Sequence, residues 1–363
     1  MDKKWAMRDY HEGDEEGIFE LFRAVHPERE YDYGKWLRWW RWMYKDNPAG
    51  PGRIWLAEQD NKIVGHYAIV PVRLSITGKT VLASQSLNTL THPDYRRRNI
   101  FETLAKKVYA EAARDGIRIV YGFPNQFSYP GLIRKLDWFD IANMQIMLKP
   151  LNWKDAIGVI IKDQSLRSIF SPIANLLCDK TRLRRNEPNV VEGLTVKEVA
   201  SFDERFDILW SKVANQFQIM VARNSDYLRW RYGAPGANYS IFVAEKDSEI
   251  GGYLVLKYST DSGTKVGVIF DMIAQSKDAL ACLIRRVIRD CQQNKVALIQ
   301  YQLRANKVYR RVLKRNGFIS LPFSKGDHFC AYSTRTESSQ QFLRNPDNWF
   351  VQIGDSDRVS LDY

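Results

Sequence analysis

Three consecutive arginines, Arg96, Arg97 and Arg98, lie between a β-rich run and the first turn of an amphipathic helix. The first N–H groups of a helix have no partner within the helix and form its positive dipole end. A guanidinium binds an oxyanion through two parallel hydrogen bonds. Residue type and position therefore predict a binding site for a multiply charged anion such as a pyrophosphate.

The elements around the arginines indicate a sheet that presents this turn at its edge. Residues 52–90 hold three β-rich runs separated by turn signals, which predict an antiparallel meander. Apolar residues then recur at helical spacing from Phe101 to Ala112, and Gly116 ends the helix. A buried strand and a helix from Tyr129 follow. The expected fold class is α/β, with a mixed (α+β) sheet flanked by helices.

Three blocks of the chain recur in the same order, which indicates tandem duplication. The helix-like segment Trp36–Tyr44 resembles Tyr227–Tyr232, and Tyr129–Trp138 resembles Tyr309–Phe318. Between them, five residues recur at a common offset: Pro48, Ala57, Glu58, Ile63 and Gly65 match Pro235, Ala244, Glu245, Ile250 and Gly252. The chain is therefore expected to hold two domains of one fold, each with a mostly antiparallel central sheet.

The repeat predicts a first domain over 1–150, a helical linker over 151–190, a degenerate second domain over 191–335 and a tail over 336–363. The apolar face of the linker is expected to pack across the domain interface, with a membrane surface as the alternative. The acidic tail residues allow a hard-metal site, a solvated terminus or a cover over the substrate opening. A solvated terminus is the favoured hypothesis for these residues, Asp355, Asp357 and Asp362.

The net charge of +12 indicates attraction to an anion, but the basic residues are scattered and are expected to form mostly solvated helix faces. The four cysteines lack the spacing of a zinc site or a disulfide framework, and no metal is expected. The sequence begins without an apolar leader, and no run approaches the roughly 18 apolar residues of a membrane span. These features predict a cytoplasmic protein without integral membrane association.

The segment from Arg96 to Phe101 resembles the signature Arg/Gln-x-x-Gly-x-Gly/Ala of the GNAT acetyltransferase superfamily. The resemblance extends to Thr91–Tyr95 and Tyr121–Asn125. It implies that this turn holds the pyrophosphate of coenzyme A. Asn99 replaces the first glycine and tolerates positive φ, whereas Phe101 replaces the second and is expected to turn its ring into the core. Asp137 stands where relatives carry a glycine before an aromatic residue.

The resemblance implies a set of cofactor-binding positions on the strand, turn and following loop. They are Leu90, Thr91, Arg96, Arg97, Arg98, Asn99, Ile100, Phe101 and Asn125. Asn125 alternatively caps a helix. Asn88, on the strand that should line the thioester, is expected to bind substrate.

Acyl transfer to an amine requires a base for the amine, polarisation of the thioester carbonyl and a proton donor for the leaving thiolate. The tyrosine that serves as donor in many GNAT proteins is replaced here by Ile133, and Tyr129 lies one helical turn earlier on the same face. Tyr129 is thus the candidate donor, or else a packing residue. His66 is the candidate base, or else a satisfied core histidine. Other candidates are Glu58, which its match in the second copy marks as structural, His92 and Asp94.

The second copy lacks the arginine turn and carries Gln275–Asp278 instead, so no coenzyme A is expected there. That copy is expected to enclose substrate, support the first domain or form a homodimer. The resemblance implies an N-acetyltransferase that uses acetyl-CoA and a small amine, with an amino sugar favoured as acceptor. One alternative is a non-catalytic coenzyme A sensor. Another is a nucleic-acid binder, which would require exposed tryptophans in Trp36–Tyr44, where helical spacing predicts burial.

Overall fold

The computed structural model describes residues 5–28, 30–160, 193–261, 263–303, 306–321, 328–334 and 337–357. The described helices are α1 (Glu15–Val25), α2 (Tyr33–Tyr44), α3 (Ile100–Arg114), α4 (Tyr129–Lys135), α5 (Trp153–Ile160), α6 (Arg205–Val213), α7 (Ser225–Tyr232), α8 (Lys277–Gln293), α9 (Lys307–Arg315) and α10 (Glu337–Arg344). The strands are β1 (Ala6–Asp9), β2 (Arg53–Gln59), β3 (Lys62–Ile76), β4 (Lys79–Thr91), β5 (Ile119–Gly122), β6 (Phe139–Asn143), β7 (Gln145–Pro150), β8 (Thr195–Val199), β9 (Ile219–Val221), β10 (Tyr239–Lys246), β11 (Glu249–Asp261), β12 (Thr264–Ala274), β13 (Leu298–Leu303), β14 (Ile319–Ser320) and β15 (His328–Ser333).

These elements form two mixed sheets flanked by helices, which confirms the predicted fold class. The first sheet has the order β1-β2-β3-β4-β5-β15-β6, and β9 pairs with the end of β3. The second has the order β14-β7-β13-β12-β11-β10-β8. The predicted meander is the antiparallel set β2-β3-β4, and β5 pairs with β4 in parallel.

The two sheets exchange strands. β7, from the first half of the sequence, lies between β13 and β14 in the second sheet. β15, from the second half, lies between β5 and β6 in the first sheet. Each sheet is therefore completed by a segment from the other half of the sequence, and the boundaries at residues 150 and 335 stay predictions.

The repeated helices α2 and α7 meet at a tryptophan pair that relates the two halves by approximate twofold symmetry. The rings of Trp42 and Trp230 stack with centroids 5.1 Å apart. Each indole Nε1 donates to the other residue's carbonyl oxygen, at 2.7 and 2.9 Å. Because the two contacts are reciprocal, equivalent surfaces of the duplicated unit pack against each other at this point.

The helices bury the apolar residues whose helical spacing predicts burial. Trp36, Trp39, Trp40 and Trp42 are all at most 5% exposed, so they contribute to the core and cannot stack on nucleic-acid bases. On the opposite face of the first sheet, α3 packs a second cluster that includes Val108, Tyr109 and Trp138.

No described helix is long and apolar enough to cross a membrane. Most of the predicted linker, residues 161–190, and Cys178 lie outside the described residues.

Candidate functional site

The arginine turn is exposed and strained into the left-handed region. Arg97 has φ 64° and Asn99 has φ 59°, so Asn99 adopts the positive φ predicted for it. Arg96, Arg97, Arg98 and Asn99 are exposed. Asn99 gives no side-chain cap to α3, whereas Ser276 caps the equivalent helix α8 by accepting from the Ala279 N–H. The start of α3 therefore presents N–H groups and three guanidinium groups to solvent, as an anion site requires.

The first residues of α3 pack inward and fix the turn on the sheet. Ile100 is 2% exposed, and its side chain fills the space over Gly65, where an added Cβ would lie 2.4 Å from it. The Phe101 ring packs on Tyr67, with centroids 5.9 Å apart, and lies against Gly131 of α4. It is partly buried against the α3 cluster, in agreement with the prediction that it turns towards the core.

The strands β4 and β5 separate on the side where the turn lies. They pair in parallel only at Ser84↔Val120 and Gln85↔Tyr121. β5 ends at Gly122, but β4 continues to Thr91 and stays paired with β3, with a register irregularity where Asn88 takes φ 49°. Near Asn88, Leu90 and Thr91, one edge of β4 faces β3, and the opposite edge pairs with no other described strand. The thioester is predicted to lie along this unpaired edge.

His66 lies on β3 beside this irregularity and is 1% exposed. Its Nδ1 lies 2.8 Å from the Asn88 carbonyl oxygen, which can only accept, so Nδ1 carries the proton and Nε2 a lone pair. Nε2 is buried and has no hydrogen-bond partner among the described residues. Burial lowers the pKa of His66 to about 4, which makes it a weak base at neutral pH. Its assignment as base stays a prediction.

The buried imidazole predicts a specific acid sensitivity. The pKa of His66 falls from 6.5 to about 4 on folding, so the unfolded chain binds its proton first as the pH falls. As the pH falls from 6.5 to about 4, the free energy of unfolding of the wild type should therefore decrease more steeply than that of His66→Gln. The difference in slope should be about 1 kcal/mol per pH unit. Urea unfolding across this pH range measures the difference. Exposed His11→Gln serves as control, and parallel pH profiles for wild type and His66→Gln would contradict the prediction.

Tyr129, the candidate proton donor, lies at the start of α4 and contacts residues of two strands. Its hydroxyl lies 3.3 Å from the Asp140 carboxylate of β6, and its ring stacks on His328 of β15 with centroids 3.8 Å apart. The Cys330 Sγ also lies 3.3 Å from Asp140. Partial burial and the Asp140 charge raise the pKa of Tyr129, which keeps its hydroxyl protonated. Its role as proton donor stays a prediction.

Sequence reasoning did not identify Asp140, His328 or Cys330 as partners of Tyr129. Asp140 and Cys330 are 190 positions apart, and they meet only because β15 is inserted beside β6. No local pattern indicates that insertion, since both strands follow ordinary β alternation. Sequence motifs within one half of the chain therefore do not reveal these partners.

The remaining candidates have structural partners. The Asn125 Oδ1 accepts from the N–H groups of Phe127 and Ser128 in the turn before α4, so it orders that turn and does not cap the helix itself. Glu58 pairs with Arg8 at 2.7 Å, and its repeat partner Glu245 pairs with Arg205 at 2.9 Å. The equivalent ion pairs agree with the structural role predicted for Glu58. In the turn before the arginines, His92 accepts from the Asp94 N–H, and Asp94 is exposed.

In the second sheet, the gap that corresponds to the β4–β5 separation is occupied by the chain's own C-terminal segment. β12 and β13 pair in parallel only over Val266–Ile269 and Leu298–Tyr301. Beyond that, the Gln352 Oε1 accepts from the Met272 N–H of β12 at 2.9 Å and from the Tyr301 hydroxyl. Gln352 is completely buried. No extended ligand can enter this gap while the segment is in place.

The segment is anchored by a buried ionic network. The Arg223 guanidinium binds the Asp355 carboxylate at 2.7 Å and the Asp271 carboxylate at 3.2 Å, and all three side chains are at most 2% exposed. The hydroxyls of Tyr232 and Tyr253 also donate to Asp271. The favoured prediction of a solvated acidic tail is therefore wrong for Asp355, which is buried. Desolvation raises the pKa of Asp355, and the charge of Arg223 offsets part of that effect. Asp362 lies outside the described residues.

A repeated contact shows that the two gaps are equivalent. In the first sheet, the Asn88 Nδ2 donates to the Tyr44 hydroxyl of α2 at 3.1 Å. In the second sheet, the Tyr232 hydroxyl of α7 donates to Asp271 at 3.0 Å. Tyr44 and Tyr232 are matched positions of the repeat, and the register partners Gly65↔Thr91 and Gly252↔Ala274 place Asn88 and Asp271 at matched positions of β4 and β12.

A separate cavity lies at the opposite end of the first sheet. It is lined by the loop around Gly50, by Leu82 near the start of β4 and by Asp115 after α3. These residues are at the ends of β4 and α3 farthest from the arginine turn, so this cavity is not the predicted anion site.

The paired sheets, the parallel strands that separate and the arginine turn at the start of α3 define a duplicated GNAT fold. Residues 6–139 match the family model of the acetyltransferase (GNAT) domain. This part of the chain is thus similar to a GNAT acetyltransferase domain. No curated protein matches the sequence significantly.

Solved structures support the fold over most of the chain. A GCN5-related N-acetyltransferase from Anabaena variabilis superposes with a TM-score of 0.63 at 12% identity, covering 90% of this chain and 72% of the other. A probable N-acyltransferase from Enterococcus faecalis gives 0.63 at 14% identity, with 94% and 74% covered. Saccharomyces cerevisiae N-myristoyltransferase with bound myristoyl-CoA gives 0.57 at 12% identity, with 92% and 82% covered. The family match and these neighbours support an acyl-transfer activity.

Proposed function

We propose that the protein transfers an acetyl group from acetyl-CoA to the amine of a small molecule, with an amino sugar as the favoured acceptor. The observation that carries this proposal is the exposed, uncapped start of α3 with Arg96, Arg97 and Arg98 beside the separating strands β4 and β5. A pyrophosphate bound at this turn would direct the pantetheine arm along the unpaired edge of β4 towards Asn88.

The reaction needs no covalent enzyme intermediate. The amine nitrogen attacks the thioester carbonyl carbon, the carbonyl oxygen takes up negative charge, and the carbon–sulfur bond then breaks. Backbone N–H groups at the Asn88 irregularity would polarise the carbonyl. The Tyr129 hydroxyl would supply the proton to the leaving thiolate, and the amine releases one proton.

The acceptor is proposed to bind on the α2 face of the sheet. Gly65 faces α3, and strand alternation turns His66 to the other face, where its ring lies 6.1 Å from that of Tyr44. Because Nε2 of His66 is buried, it could accept a hydrogen bond from the incoming amine only if substrate binding opens the space beside it. With a pKa of about 4, His66 would be a poor general base for the proton of the amine, and its main role would be to orient the amine. The cytoplasmic location and the homodimer stay predictions.

The double substitution Arg96→Ala with Arg98→Ala tests the placement of the cofactor. It removes two charge-assisted contacts to the pyrophosphate and should weaken acetyl-CoA binding at least tenfold, equivalent to about 1.4 kcal/mol. Isothermal titration with acetyl-CoA measures the change. Arg114→Ala, an exposed arginine at the other end of α3, is the matched control and should bind normally. Unchanged affinity in the double variant would exclude this turn as the pyrophosphate site.

A second candidate is a coenzyme A sensor without turnover. It is favoured by the low basicity of His66 and by Ile133 at the position where relatives carry the donor tyrosine. Thiol release from acetyl-CoA against a panel of amino sugars, amino acids and polyamines separates the two functions. Binding of acetyl-CoA without thiol release for any amine would support the sensor.

A further inference from the structure

Helix α9 carries five cations on one face. Lys307, Arg310, Arg311, Lys314 and Arg315 follow the spacing i, i+3, i+4, i+7, i+8, and they line a shallow, open groove. The other face of the helix, with Tyr309, Val312 and Leu313, is buried. We name the five cations the α9 stripe. At about 1.5 Å per residue it is about 12 Å long.

The α9 stripe has no carboxylate partner among the described residues, and four of its five members are exposed. By contrast, Arg286 on the neighbouring helix α8 pairs with Asp290 at 2.9 Å. Like charges four residues apart destabilise a helix, and the stripe contains three such pairs. The fold itself therefore gains nothing from this arrangement.

The duplicated domain supplies an internal comparison. Helix α4 is the repeat partner of α9, at an offset of 180 residues. Phe127 just before α4, and Pro130 and Gly131 within it, stand where α9 has Lys307, Arg310 and Arg311. Of its two cations, Arg134 and Lys135, the second pairs with Glu102. The unpaired stripe is thus a property of the second domain and not a requirement of the shared fold.

We propose that the α9 stripe binds the surface of an anionic lipid bilayer. The stripe lies along the side of α9 opposite its buried residues, so all five flexible cations can reach a planar array of phosphates together. Val308 is 40% exposed at the edge of the stripe and can contact the acyl boundary. The aromatic residue of the helix, Tyr309, is buried at 4% exposure and cannot stack on a nucleic-acid base.

The test uses the full-length chain and sedimentation with two kinds of vesicle, one of phosphatidylcholine alone and one in which phosphatidylglycerol replaces part of it. Wild type should bind the anionic vesicles and not the neutral ones. Each cation lost should weaken partitioning about fivefold, so Arg310→Gln/Arg311→Gln/Lys314→Gln should bind about a hundredfold more weakly. The matched control Arg23→Gln/Arg41→Gln/Lys79→Gln removes three exposed cations from the first domain and should bind like wild type.

Three outcomes would overturn the proposal. They are equal binding by the stripe variant and wild type, an equal loss in both triple variants, and binding of wild type to duplex DNA but not to anionic vesicles. The stripe variant relieves like-charge repulsion, so its thermal midpoint should equal or exceed that of wild type, which shows that lost binding does not reflect unfolding.

Discussion

Arg223→Ala should lower the free energy of unfolding by about 3–5 kcal/mol, because it leaves Asp271 and Asp355 as buried carboxylates without a cation. Arg223 is 2% exposed and binds both carboxylates at 2.7 to 3.2 Å. Its guanidinium joins β12 to the C-terminal segment, so its loss should also release that segment from the gap between β12 and β13. Urea denaturation measures the first effect, and proteolysis of the C-terminal segment measures the second.

The control is Arg229→Ala in α7, the helix that follows the loop containing Arg223. Arg229 pairs with Asp226, but the two side chains are 47% and 66% exposed, and such surface pairs contribute about 0–1 kcal/mol. Adding Asp355→Asn to Arg223→Ala removes one of the uncompensated charges and should recover part of the lost stability. Equal losses for Arg223→Ala and Arg229→Ala would show that the network does not anchor the segment.

Tyr129→Phe should reduce kcat about a hundredfold and leave the KM for acetyl-CoA nearly unchanged. The substitution keeps the ring that stacks on His328 but removes the hydroxyl proposed to protonate the leaving thiolate, a role worth at least this factor in general acid catalysis. Because burial and Asp140 raise the pKa of Tyr129, the alkaline limb of wild-type kcat should lie at a higher pH than the titration of a free tyrosine, and the variant should lack it. Steady-state thiol release across pH measures both effects.

The control for this prediction is Tyr332→Phe on β15. Tyr332 stacks on Tyr109 with centroids 4.6 Å apart and packs against the same cluster as Tyr129. Tyr332→Phe tests whether the loss of any tyrosine hydroxyl in this cluster lowers turnover. Its turnover should equal that of the wild type. If Tyr129→Phe retains wild-type kcat, another group protonates the thiolate, and Tyr129 is a packing residue at the domain surface.

Much of the first domain was predictable because its signals are local. The meander β2-β3-β4 and the helix α3 follow from alternation, helical spacing and the glycine at residue 116. The left-handed conformation of Asn99 follows from its replacement of a glycine in the turn, and the burial of the α2 tryptophans follows from their spacing. In each case, residues within a few positions of one another determine the conformation.

The interpretation of the acidic tail failed because its partner is distant in sequence. Asp355 and Arg223 are 132 positions apart, and an aspartate near a chain end is usually solvated. A buried carboxylate requires a cation that is also buried, and Arg223 shows no sequence feature that distinguishes it from the exposed arginines. Only the packed structure brings the two charges out of water together.

By itself, the sequence determined the duplication, the fold class and the position of the arginine turn before α3, since these depend on periodicity, repeats and three adjacent arginines. The tertiary structure alone decided which strands complete each sheet, which side chains surround Tyr129 and what fills the gap in the second sheet. The physical reason is that hydrogen bonds between strands and buried ion pairs do not depend on separation along the chain. Many strands have the pattern needed to pair with β5, and only the complete packing selects β15.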